Sequence, residues 1–100
     1  MNVYVTITGY KHYFGSLPFS VSATLRLVRE TDNQYDAAAI AVYHSAYGKV
    51  GYVAQRKEMI AHGTSSARSI APFLSSNAKA IVRFIAGEFI IAELIPTTEE

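Results

Sequence analysis

Hydrophobic and polar residues alternate with a period of two along two early stretches of this chain. The apolar positions are Val3, Val5 and Ile7 in the first stretch and Val21, Ala23, Leu25 and Leu27 in the second. Such alternation is typical of β-strands with one face in a core, because successive side chains point to opposite faces. The pattern therefore predicts two half-buried strands.

Four later stretches predict two β-hairpins. Residues 39–44 and 49–53 are rich in β-branched and aromatic side chains, and the link between them places Gly48 where a tight turn needs a positive φ. Residues 78–86 and 89–95 flank Gly87-Glu88 in the same way. Six strands with short links in so small a chain predict a closed or nearly closed barrel, because closure removes exposed sheet edges. We expect a mainly β fold, an OB-like or SH3-like six-stranded barrel.

The segment from Gln55 to Asn77 lacks this alternation and predicts a helical insertion. Residues 56–62 can form one or two helical turns ending at Gly63. Candidate caps for a second helix are Thr64, Ser65 and Ser66, and its expected core-facing residues are Ala67, Ile70, Phe73 and Leu74. Pro72 removes a backbone hydrogen bond and should bend or shorten that helix.

The composition bounds the class of protein. The chain has 100 residues and a mass of 11.0 kDa, with 50% hydrophobic and 17% charged residues, which suits one folded domain and argues against disorder. We expect a single domain over residues 1–95 and a frayed tail over residues 96–100. No apolar run is long enough to span a membrane and no signal peptide is evident, so we expect a cytoplasmic protein without a membrane partner. The absence of cysteine excludes disulfides and thiolate chemistry.

Charge is distributed unevenly although the net charge is only +1. All nine Lys and Arg residues lie at or before Arg83, whereas half of the eight acidic residues follow it. The body of the chain is therefore basic, as nucleic-acid-binding domains often are, but many small soluble domains show similar unevenness.

An acidic, aromatic turn at residues 32–36, Asp-Asn-Gln-Tyr-Asp, is the first candidate site. Asp32 and Asn33 can bond backbone amides two residues onward and so build an Asx turn ahead of the next strand. This structural role explains Tyr35 and Asp36 less well, since an aromatic ring beside an acceptor suits a base and its sugar hydroxyl. The residues alone favour the structural interpretation.

A glycine-bounded loop at residues 9–15, Gly-Tyr-Lys-His-Tyr-Phe-Gly, is the second candidate. Lys11 could contact a phosphate while His12 and Tyr13 offer flat faces to unstacked bases. The structural alternative is that Tyr13 and Phe14 close the barrel mouth. We expect at least one ring of this loop in the core.

Three segments together resemble the HIRAN domain family. They are Thr-Gly-Tyr-Lys-His-Tyr-Phe-Gly from Thr8, Leu-Val-Arg-Glu-Thr-Asp-Asn-Gln-Tyr-Asp-Ala-Ala-Ala-Ile-Ala-Val from Leu27, and Gly-Lys-Val-Gly-Tyr-Val-Ala-Gln-Arg from Gly48. The resemblance extends from Val5 to about Phe89. It implies an OB-like barrel of a kind found in SWI/SNF-type repair translocases and in small bacterial proteins. The best-understood members capture 3′ ends of single-stranded DNA and help to remodel stalled replication forks.

The resemblance also implies roles for particular residues. Tyr35 would stack on the terminal base, and Asp36 would accept a hydrogen bond from the 3′ hydroxyl and repel a 3′ phosphate. The family's basic and aromatic loop is matched by Lys11, His12 and Tyr13, and Tyr52 falls beside the pocket. A backbone phosphate would be met by Arg56 or, as a weaker match, by Gln55. Phe89 would lie either against the bases or in the core.

Some residues depart from the family pattern. Gln34 replaces a frequent proline, Ala38 replaces a frequent asparagine, and His12 replaces a ring that stacks more strongly. Residues 57–66, directly after Arg56, form an insertion before the family's helix.

No arrangement of residues predicts catalysis. The three histidines lack metal-ligand spacing, and no phosphate-binding glycine loop or nucleophile motif occurs. We expect no enzyme activity, no cofactor and no metal. The leading hypothesis is a monomeric module for 3′ ends of single-stranded DNA, which could serve a separately encoded nuclease or translocase. The alternative is a peptide-binding module with an aromatic groove, formed by Tyr10, Tyr13, Tyr35 and Tyr52.

Overall fold

A computed structural model describes residues 2–76 and 78–96 of the chain. The strands are β1 (Val3–Thr8), β2 (Thr24–Arg29), β3 (Ile40–His44), β4 (Gly48–Val53), β5 (Lys79–Ala86) and β6 (Phe89–Ile95). The helices are α1 (Ala67–Ile70) and three 3₁₀ turns, Tyr10–His12, Lys57–Met59 and Ala71–Phe73. None of the helices in these segments is long and apolar enough to cross a membrane.

The six strands form a closed antiparallel barrel in the order β1-β4-β3-β2-β5-β6, with β1 and β6 paired to complete the ring. The predicted mainly β barrel with a helical insertion is therefore confirmed. Inward side chains from all six strands fill the core, among them Val5, Ile7, Leu25, Leu27, Ile40, Val42, Val50, Val82 and Ile90. Burying each such side chain contributes about 1.5–3 kcal/mol before the entropy of ordering is subtracted.

The second strand begins later than its alternation predicts. Ser22 has a φ of 80°, which breaks the extended conformation, and β2 starts at Thr24. Val21 is consequently exposed, whereas Leu25 and Leu27 lie in the core as expected. At the β3–β4 turn Gly48 has the predicted positive φ, 79°.

The helical insertion consists of short helical segments. Residues 56–62 contain only the 3₁₀ turn Lys57–Met59. Ser66 is the N-cap of α1, since its hydroxyl accepts a hydrogen bond from the Ser69 amide at 3.2 Å. The expectation that Phe73 faces the core is wrong: α1 ends at Ile70, the chain continues as the 3₁₀ turn Ala71–Phe73, and Phe73 is 85% exposed.

The insertion covers part of the outer face of β1. Thr6 points away from the barrel interior yet is buried, and its hydroxyl contacts the Thr64 hydroxyl at 2.8 Å and accepts from the Ala61 amide at 3.1 Å. Pro96 is exposed, and the rest of the expected tail, residues 97–100, lies outside the described residues.

Candidate functional site

A groove of about 780 Å³ opens on the outer surface between β1, the 3₁₀ turn Tyr10–His12 and the β5–β6 turn. Its lining includes four of the residues singled out from the sequence: Lys11, His12, Tyr52 and Phe89. They come from separate parts of the chain, and only the closed barrel brings them together. Phe89 is 40% exposed, so it belongs to the groove and not to the core.

Tyr10 is the ring that fixes the glycine-bounded loop to the barrel. It is buried, meets the Phe19 ring edge-on at 5.9 Å between centroids, and donates its hydroxyl proton to the Glu88 carbonyl at 2.6 Å. The idea that Tyr13 and Phe14 close the barrel mouth is wrong, because both rings are substantially exposed. Anchoring by Tyr10 leaves Lys11 on the groove surface, where its ammonium lies 3.3 Å from the Glu88 carboxylate.

Gly51 allows β4 to approach this loop closely. A Cβ atom at this position would lie 2.8 Å from the Thr8 carbonyl oxygen and 3.3 Å from the Ile7 side chain. The absence of a side chain therefore lets β4 lie against the end of β1, and the next residue, Tyr52, reaches the groove.

A polar network holds the hydroxyl group of Tyr52. The Tyr52 hydroxyl donates to Glu30 Oε1 at 2.8 Å and accepts from Lys49 Nζ at 2.8 Å, while Lys49 also forms an ion pair with Glu30 at 2.6 Å. Burial alone would raise the pKa of Glu30, but hydrogen bonds from Lys49, Asn33 and Tyr52 outweigh burial and lower that pKa. The pKa of Tyr52 is raised, chiefly by burial, so the phenol stays protonated at neutral pH.

The turn at residues 32–36 is joined to the same network through Asn33. Its side-chain oxygen accepts from the backbone amides of Tyr35 and Asp36 at 2.8 and 3.0 Å, and its side-chain nitrogen donates to Glu30 at 3.0 Å. Asn33 thus forms the predicted Asx turn. The Tyr35 ring projects into solvent with 96% of its surface exposed.

Asp36 has structural partners that the sequence did not suggest. Its carboxylate accepts hydrogen bonds from the Ala38 amide at 2.9 Å and the Gln55 side chain at 3.1 Å, and the Arg68 guanidinium lies 3.8 Å away. The hydrogen bond from Gln55, followed by that from Ala38, lowers the pKa of Asp36. The carboxyl group is therefore ionised at neutral pH.

Four of the residues expected at the site lie outside the groove lining: Tyr13, Tyr35, Asp36 and Arg56. Arg56 forms an exposed ion pair of 2.8 Å with Glu58, which does line the groove. Two further residues that the sequence did not suggest, Met59 and Glu88, line the groove. The Met59 sulfur accepts a hydrogen bond from the Thr8 hydroxyl at 3.1 Å. No local signal marks these residues, because long-range packing carries them to the groove.

This combination of a small closed barrel and an aromatic surface groove defines an OB-like binding module. The chain belongs to the HIRAN domain family, whose sequence profile matches residues 1–85. That family is known as a family of DNA-binding modules.

Two solved structures share the fold. The HIRAN domain of human HLTF superimposes with a TM-score of 0.63 at 21% identity, covering 93% of this chain and 74% of that chain. A protein from Lactobacillus plantarum gives a TM-score of 0.64 at 23% identity, covering 94% and 93% of the two chains. Comparison with curated protein sequences finds no significant match.

Proposed function

We propose that this chain is a non-catalytic DNA-binding module that captures 3′-hydroxyl ends of single-stranded DNA in DNA repair or replication-fork processing. Membership of the HIRAN family supports DNA as the ligand class. The observation that carries the proposal is the groove that unites Lys11, His12, Tyr52 and Phe89. Cationic and aromatic side chains around one cleft suit a phosphate and its unstacked base.

In this proposal the bases near the 3′ end enter the groove and pack against its rings, while Tyr35 stacks on the terminal base. Stacking of a base on an aromatic side chain contributes about 1–3 kcal/mol and tolerates any base. Lys11 exchanges its exposed partner Glu88 for a phosphate, which costs little because solvent screens that ion pair.

Tyr35 and Asp36 recognise the end of the strand in this proposal, and they are joined to Tyr52 of the groove through Glu30 and Asn33. The fully exposed Tyr35 ring is free to stack on a base, since no contact within the described structure restrains it. Asp36 receives one hydrogen bond on each carboxylate oxygen, and each oxygen has a second lone pair for the 3′ hydroxyl. Because the carboxylate is ionised, it repels a phosphate in the place of that hydroxyl.

A titration of fluorescent oligonucleotides tests end capture. We expect a single strand with a 3′ hydroxyl to bind more tightly than the same strand with a 3′ phosphate or a blunt duplex. Asp36→Ala should reduce this preference, whereas Arg56→Ala should weaken binding to every single strand and flatten its salt dependence. Equal affinity of the unaltered protein for the hydroxyl and phosphate ends would contradict the proposal.

The structure does not bring the four tyrosines of the peptide-binding alternative into one groove. Of the four tyrosines that would form its groove, Tyr10 and Tyr52 line the observed groove, whereas Tyr13 and Tyr35 do not. Tyr10 is also buried.

The proposed module acts as a monomer in the cytoplasm, near the nucleoid. It recruits an enzyme to the DNA end and does not itself cleave DNA. A separately encoded nuclease or translocase would then supply the chemistry at the captured end. Affinity purification from cells, with and without nuclease treatment, would show whether such an enzyme accompanies the chain through protein contacts.

A further inference from the structure

A row of side chains crosses the outer surface of the barrel from β5 to β4. The strand register pairs Lys79 with Arg26, Arg26 with Tyr43, and Tyr43 with Lys49. The neighbours of Arg26 in β2 are buried and point inward, so Arg26 points outward with its cross-strand partners. Adjacent strands lie about 4.8 Å apart, which gives the row a length of roughly 15 Å.

Two of the cations in this row lie against aromatic rings, and the second of these rings belongs to the groove. The Arg26 guanidinium carbon lies 5.2 Å from the centre of the Tyr43 ring, and Lys49 Nζ lies 4.7 Å from the centre of the Tyr52 ring. Tyr52 lines the groove. The row is therefore continuous with the site proposed for the terminal nucleotide.

The charges at the far end of the row are available to a ligand. Within residues 2–76 and 78–96, neither Arg26 nor Lys79 has a carboxylate at ion-pair distance. Four cations elsewhere on the surface do have such a partner: Lys11, Arg56, Arg68 and Arg83. Lys49 is paired with Glu30, so the net positive charge of the row is concentrated at Arg26 and Lys79.

We propose that this row, Lys79-Arg26-Tyr43-Lys49, binds the sugar-phosphate backbone and bases of the strand that extends 5′ from the captured nucleotide. Arg26 and Lys79 contact phosphates. The Arg26 guanidinium, held on Tyr43, offers a flat cation on which a base can stack, a combination typical of sequence-independent single-strand binding. That the strand runs 5′ from the groove toward Lys79 rests on the proposed function. That Arg26 and Lys79 contact the phosphates of a single strand does not.

Length dependence of binding tests the row. Two ligands that end in a 3′ hydroxyl are compared: a dinucleotide and a thymidine oligonucleotide of about ten nucleotides. Fluorescence anisotropy measures the affinity of the oligonucleotide, and competition measures that of the dinucleotide. We expect Arg26→Gln and Lys79→Gln to weaken the longer strand and to leave the dinucleotide unchanged. Each variant should also reduce the slope of log affinity against log salt by about 0.7.

Arg83→Gln is the matched control, because it removes the same charge from β5 at a position where Arg83 pairs with Glu93. Thermal unfolding confirms that each variant is folded. The proposal is overturned if Arg26→Gln and Lys79→Gln weaken the long strand no more than the control does, or weaken the dinucleotide equally.

The same measurements separate failure of the row from failure of end capture. If the unaltered protein binds hydroxyl and phosphate ends equally while both row variants still lose affinity for the long strand, end capture fails and the backbone contact stands. If end preference is present and the row variants bind the long strand normally, end capture stands and the row is excluded.

Discussion

The Tyr52 hydroxyl donates a hydrogen bond to Glu30 Oε1 at 2.8 Å, and this bond joins the groove to the turn at residues 32–36. The same oxygen accepts from the side chain of Asn33, which in turn holds the backbone amides of Tyr35 and Asp36. One carboxylate therefore positions an aromatic ring in β4 and the turn that follows β2.

Replacement of this carboxylate should destabilise the barrel. Glu30→Gln removes the charge that compensates Lys49, so we expect the free energy of unfolding to fall by about 1.5–3 kcal/mol, as for other hydrogen bonds to charged groups. Urea denaturation measures the change. Glu88→Gln is the control, because its ion pair with Lys11 is exposed and should contribute much less. Equal stability of the two variants would contradict this role for Glu30.

Acid should lower the free energy of unfolding, because it protonates the carboxylates of Glu30 and Asp36. Their pKa values in the folded protein lie below the ordinary values of 4.5 and 3.8. Groups with lowered pKa values contribute stability above the unfolded pKa and lose it as pH falls through the folded pKa. We expect the free energy of unfolding to decrease below about pH 4.5, and the stability difference between the unaltered protein and Glu30→Gln to shrink there. A difference that grows with acidity would refute this assignment.

Loss of the Tyr35 ring should affect binding and not folding. The ring is 96% exposed, so Tyr35→Ala should change the free energy of unfolding by less than about 0.5 kcal/mol. If Tyr35 stacks on a base, the variant should bind a 3′-hydroxyl strand about 1–3 kcal/mol more weakly. Tyr35→Phe is the control and should retain that affinity. An alanine variant with unchanged affinity would exclude stacking by Tyr35.

A methyl group at Gly51 should force β4 away from β1. The added Cβ would approach the Thr8 carbonyl oxygen to 2.8 Å, and backbone atoms cannot yield as a flexible side chain can. We expect Gly51→Ala to lower the free energy of unfolding by about 1–3 kcal/mol, as overpacking typically does. Thermal and urea unfolding would measure this, and a variant as stable as the parent would show that the strands separate without cost.

The sequence by itself determined the position of the strands, the inward face of most of them and two of the turns. A period of two assigns Leu25 and Leu27 to the core without knowledge of any partner strand, and a positive φ at Gly48 follows from local turn geometry. The Asx turn at Asn33 is equally local, since its hydrogen bonds reach only two or three residues onward. Such features depend on short-range sterics and hydrogen bonding, which a few neighbouring residues specify.

Only the tertiary structure decided which distant side chains share a surface. Local pattern could not show that Tyr10, among the rings of its loop, is buried beneath Glu88, or that Gln55 binds Asp36. It also could not align Arg26 with Lys79, because that pairing depends on the register between β2 and β5. Barrel closure and strand register set these contacts, and both result from packing of the whole chain.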